Sequence, residues 1–183
     1  MPRIAPIRSK DQVPPEHHAA FDQLVAMRGG ITGPSTFLMY TPKLNLRYSP
    51  IVSYYREDSP ISLHHQEVAI MTTVREKRSA YPWGAHVARG REAGVPEPVI
   101  DAIRSRGSVE GLDGDDAAII RYARQLTSGT RADQATFDHL HAKFGNQWLV
   151  ELTLLIGHYQ GTATLLNAFE LEAAPGADPL PAD

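Results

Sequence analysis

Apolar residues recur along this chain at intervals of three and four, in blocks punctuated by proline and glycine, which is the pattern of successive amphipathic helices. Phe21, Leu24, Val25 and Met27 form the first stripe and predict a helix from Pro15 to Met27 that stops at Gly29-Gly30. Gly33-Pro34 is a turn feeding the apolar run at Phe37-Leu38. Thr41-Pro42 predicts another start, with a helical segment reaching Arg56 and disturbed at Pro50. Ser59-Pro60 repeats that arrangement and opens a helix in which Leu63, Ile70, Met71 and Val74 bury one face. Pro82 suits the first residue of the next helix, which carries Trp83, His86, Val87 and Gly90 to a left-handed stop at Gly94. Val95-Pro96 begins a short helix through Ile100 and Ile103, ending near Gly107.

Asp113 is placed to cap a helix from Asp115 to Ser128, with Ala118, Ile119, Tyr122, Ala123 and Leu126 as its buried stripe. Thr130 to Phe144 reads as a further helix with Phe137 and Leu140 inward, and Asn146 to Leu171 as the last long one. Gly157 and Gly161 share a face of that helix and read as packing residues. Neither strand alternation nor a repeat period is present, so the chain reads as all-α. The predicted organisation is an extended, proline-rich arm over 1–14, a single helical domain over 15–172, and a flexible tail over 173–183.

Composition narrows the chemistry. At 183 residues the chain is long enough for one well-buried domain. A formal net charge of −3 lacks the basic footprint of a nucleic-acid surface, so no DNA or RNA partner is expected. With no cysteine there are no disulfides, thiol nucleophiles or cysteine-held metal sites. The first residues, MPRIAPIRSKDQVPP, lack the apolar centre of a signal sequence, and Leu149 to Ile156 is too short and too polar to span a bilayer. A soluble cytoplasmic protein with no membrane partner is the expectation.

The chemistry-bearing residues gather between Ser62 and Gly94. Glu67 lies one turn from Leu63, Ile70 and Met71, which directs it toward the core, where a carboxylate is costly unless paired or protonated. His86 follows it by 19 residues, on the second arm of what reads as a helical hairpin, so the two can meet. A glutamate and an imidazole suit proton transfer beside a carbonyl with no cofactor; the alternative is a hydrogen-bonded pair that orients two helices. Arg75, two turns from Glu67, is a candidate grip for a substrate carboxylate or a solvated cation near a helix end. Tyr81, Trp83 and Phe37 are candidates for the substrate wall or for core packing. His158, a polar group interrupting an apolar helix, is a further candidate, as a substrate contact or a satisfied core histidine. The adjacent pairs His17-His18 and His64-His65 point to different faces and do not make a metal site, and His139 and His141 are likewise split. No metal and no cofactor are therefore expected.

Ser62 to Ile103 resembles the carboxymuconolactone decarboxylase family, whose alkylhydroperoxidase branch carries a glutamate, a Cys-x-x-Cys pair and then a histidine. Glu67 and His86 fall at the glutamate and histidine, and Ser79 and Pro82 at the cysteine positions. The run Ala85 to Ile103, AHVARGREAGVPEPVIDAI, is similar to the family's H-x-x-x-A-x-x-x-G-x-x-x-x-x-I pattern, with Gly90 where the small alanine usually stands. Weaker similarity extends from Gly33 to Phe169. The resemblance implies an antiparallel, alkylhydroperoxidase D-like helical fold assembling as trimers or hexamers, with pockets near subunit contacts. It also implies a cofactor-independent lyase, decarboxylase or isomerase acting on a small cyclic or lactone carboxylic acid, as in the catabolism of aromatic compounds. A peroxide reductase is the second reading, set against the missing dithiol, and a non-catalytic ligand-binding or scaffold homologue the third.

Overall fold

The computed structural model describes residues 1–182, and every regular element among them is helical. After short 3-10 turns at Lys10–Gln12 and Pro15–His17, the chain forms α1 (His18–Arg28), α2 (Ser35–Leu38), α3 (Pro42–Tyr48) and α4 (Pro50–Glu57). It continues through α5 (Leu63–Glu76), α6 (Ala80–Glu92), α7 (Glu97–Ser105), α8 (Gly114–Ser128) and α9 (Gln134–Phe169). No described helix is long and apolar enough to cross a membrane.

The centre of the molecule is α5, packed against α6, α7, α8 and α9. Periodicity predicts burial of one face, yet every residue from Gln66 to Arg75 is buried, because neighbouring helices enclose α5 on several sides. Its polar side chains are satisfied locally: Thr72 and Thr73 donate to the carbonyls of Val68 and Ala69, and Gln66 Nε2 donates to Tyr55 O and Ile61 O at 2.7 Å each. The helix begins one turn later than Ser59-Pro60 suggests, with the Ser62 hydroxyl accepting from His65 N as the cap. Ser59 instead donates to Glu151 on α9.

The turn between α5 and α6 reverses through Arg78, whose φ of 52° lies in the left-handed region. Pro82 is not the first residue of α6 but lies within its first turn, where a missing N–H breaks no helical bond. The two helices approach closely at Gly90, where a Cβ would lie 2.8 Å from Met71 Cε. The predicted stop at Gly94 is present, with φ 78°.

The interruption between the last two predicted helices is a break inside α9 at Gly145, whose φ of 79° and ψ of 179° are non-helical. Leu140 is buried as expected, but Phe137 is exposed, stacked on His141 at the surface. Gly157 and Gly161 face outward and admit no neighbouring backbone within the chain, so the packing role read for them is not realised there.

Both ends lie on the helical body. The arm packs Ile7 and Val13 with Phe21 and Leu24 of α1, and Ile7 N donates to Thr36 O. Within the segment expected as a flexible tail, 173–183, residues 177–179 are seated on α6 and α7, and Asp183 lies outside the described residues. Asp178 pairs with Arg91 and Arg104, Pro179 O accepts from the Trp83 indole, and Ala177 lies over Gly84. The physical reason is specific contact: the bare face of Gly84 and the Trp83 indole N–H on α6 give this proline-rich segment somewhere to bind.

Candidate active site

The hairpin of α5 and α6 brings the glutamate and the histidine together. Glu67 Oε2 and His86 Nδ1 are 2.6 Å apart, with Glu67 9% and His86 4% exposed. An ionised carboxylate only accepts, so opposite it Nδ1 carries the hydrogen and Nε2 keeps a lone pair. Nε2 has no hydrogen-bond partner among the described residues.

Both side chains border a cavity of about 450 Å³ enclosed by α4, α5, α6 and α9. Its apolar wall comes from Val52, Leu63, Ile70 and Leu155, and its polar wall adds Tyr55, Arg56, Arg89, His158 and Tyr159. Leu63, on the rim, is 55% exposed. A smaller cavity of about 80 Å³ adjoins it and shares Val52, Arg56, His86, Arg89, His158 and Tyr159 as common wall.

The aromatic and imidazole rings are set edge to face. Tyr159 stands 4.9 Å from His86 and 5.2 Å from His158, centroid to centroid, and His158 stacks on Tyr48. Burial, reinforced by the Glu67 carboxylate, holds the Tyr159 phenol well above its ordinary range. Burial also pushes the His158 imidazole down to about 4, with the Arg28 charge acting in the same direction, so His158 is neutral near pH 7. The Tyr55 phenol is pushed up to about 12 by burial and then by Glu151; its hydroxyl donates to Glu151 O.

Of the residues predicted to contact substrate, His158 lies on both cavities and Tyr81 on the smaller one. Tyr81 sits there because Gly33, at φ 53°, leaves room for its ring: a Cβ would fall 3.2 Å from Tyr81 Cε1. The other three are elsewhere. Arg75 is buried and donates from Nε to Arg104 O at the end of α7. Trp83 is fully buried under the C-terminal segment, and Phe37 packs on Phe169, Leu166 and Leu171. None of the three lines either cavity.

Ser79 is buried and off both cavities, whereas Pro82 lines the smaller one. His64 bonds Asp116 at 2.8 Å and His65 meets the rings of Phe144 and Trp148, so neither joins the site. Among the described residues no three His, Asp or Glu side chains are gathered as a metal-holding group.

The residues that sequence reading missed are Arg28, Arg56, Arg89, Tyr55 and Tyr159. Arg89 had a usable signal, being three positions after His86 and so on a neighbouring face. Tyr159 adjoins the already suspected His158. Arg28 and Arg56 had none, since only the packing of α1 and α4 brings them in. Compared with known proteins, the chain matches no family model and no curated protein.

Proposed function

We propose that this protein is a cofactor-independent lyase, decarboxylase or isomerase of the carboxymuconolactone decarboxylase type, acting on a small cyclic or lactone carboxylic acid. The observation that carries this reading is the 2.6 Å contact between Glu67 and His86 on the wall of a cavity large enough for one small ring. The sequence pattern from Ser62 to Ile103 and the all-helical architecture are compatible with an alkylhydroperoxidase D-like fold. The same resemblance is the basis for proposing a trimer or hexamer.

In an isomerisation, His86 Nε2 takes the proton from the carbon beside the substrate carbonyl, and the C–H electron pair moves into an enolate. The imidazolium so formed is stabilised by Glu67 and returns the proton to another carbon. In a decarboxylation the bond to the carboxylate breaks, its electron pair enters the enolate and carbon dioxide leaves; a proton drawn from water and passed through His86 Nε2 then ends on the carbon. Neither course needs an oxidant or reductant. Arg56 and Arg89, which form no ion pair among the described residues, supply positive charge for the enolate oxygen.

The test is turnover across a panel of small cyclic and lactone carboxylic acids, with wild type beside Glu67→Gln. Wild type is expected to convert at least one acid, and the variant to lose about 10²- to 10⁴-fold in rate, with its circular dichroism unchanged. A variant that kept the full rate would contradict the proposal.

A further inference from the structure

We propose that the smaller cavity beside His86 is a carboxylate subsite, in which Arg28 and the Thr162 hydroxyl hold the acid group of the substrate while the remainder lies in the larger cavity. This rests on reading the larger cavity as a substrate site, and adds to it where the acid group sits and which side chains recognise it.

The first observation is charge. The guanidiniums of Arg28, Arg56 and Arg89 line the smaller cavity, and its lining holds no carboxylate. Arg28 is the innermost in character: it is half-buried, and its hydrogen bonds go to neutral hydroxyls, Ser35 Oγ at 3.0 Å and Ser49 Oγ at 3.5 Å. A half-buried guanidinium without an anion leaves its charge uncompensated, at a cost that a bound carboxylate removes.

The second observation is independent of charge. Thr162 is 5% exposed, lies on the wall of this cavity, and its Oγ1 has no hydrogen-bond partner. Thr72, Thr73, Thr153 and Thr164 return their hydroxyls to the carbonyl four residues back, whereas Thr162 on this cavity wall, like Thr127 on α8, does not. Thr162 makes no such bond, and a buried hydroxyl left unpaired in this way has a donor to give to a ligand.

Size is consistent with this division: the smaller cavity, about 80 Å³ against about 450 Å³ for the larger, suits the acid group, and the larger one its carbon skeleton. The shared wall of His86, Tyr159 and His158 means that an acid group held by Arg28 leaves its attached carbon skeleton beside the imidazole.

Acetate and 2-furoate are the probes, titrated by calorimetry into wild type, Arg28→Gln and Thr162→Val. Furoate is expected to bind wild type about tenfold tighter than acetate, because its ring reaches the larger cavity. Arg28→Gln is expected to weaken both acids about tenfold or more, and Thr162→Val about fivefold. Thr162→Val removes only an unpartnered hydroxyl, so its fold is retained and its result stands even where Arg28→Gln unfolds. Affinities within twofold of wild type in Thr162→Val would overturn the subsite, as would furoate binding no tighter than acetate, or a cavity that takes only water and gives no saturable heat. Binding is read without turnover, so loss of the acids in Thr162→Val together with an inactive acid panel would retain the subsite and remove the proton relay.

Discussion

His158 shows how much a single side chain depends on what packs around it. In sequence it is a polar interruption in an apolar helix; in the fold it stacks on Tyr48, meets Tyr159 edge-on and lies beside Arg28. Burial and then the Arg28 charge bring its pKa from 6.5 to about 4. The unfolded chain therefore binds more protons between these values, so the stability linked to His158 is complete above pH 6.5 and is lost as pH falls toward 4. The slope from this one group is at most about 1.4 kcal/mol per pH unit. Denaturant unfolding across that window is expected to give a shallower pH dependence for His158→Phe, which keeps the ring stack and cannot be protonated. An unchanged slope would show that His158 titrates normally. At this scale the sequence made Glu67, His86 and His158 visible, because each is a polar group on an apolar stripe. It hid Arg28, Arg56 and Arg89, because an arginine on a helix looks the same whether it faces solvent or a cavity.

The helices themselves were largely readable, since proline, glycine and capping residues mark their ends. The stops at Gly29 and Gly94, the cap at Asp113 and the break before Asn146 all lie where local chemistry puts them. What local chemistry does not encode is which surface a helix offers to segments distant in sequence. Such a surface on α6 accepts residues 177–179, through Gly84, the Trp83 indole and Arg91. A Cβ at Gly84 would come within 2.7 Å of Ala177 Cβ and 3.1 Å of Asp178 O, so the segment has to shift to admit it. Gly84→Ala gains about 1 kcal/mol in helix propensity and loses this seat. We expect the Trp83 indole N–H to exchange with solvent about tenfold faster in Gly84→Ala, by NMR, while the remaining helical amides keep their protection. An indole N–H as protected as in wild type would mean that the C-terminal segment does not depend on the bare face of α6.

The site belongs to the molecule as a whole, because no one element builds it. The α5–α6 hairpin supplies Glu67 and His86, α4 closes one side with Tyr55 and Arg56, α9 brings Leu155, His158 and Tyr159, and α1 adds Arg28 from outside the main core. The all-helical class followed from patterning alone, whereas the joining of these elements around one cavity depends on long-range packing that a helical period does not specify. Deuterium exchange tests the central claim most directly: a furoate-sized keto or lactone acid is incubated in D₂O with wild type and with Glu67→Gln, and the proton beside its carbonyl is followed by ¹H NMR. The account predicts enzyme-dependent loss of that signal with wild type and a rate about 10²-fold lower or less with Glu67→Gln. Exchange at the same rate in both proteins, or none above background with any acid that binds, would contradict it.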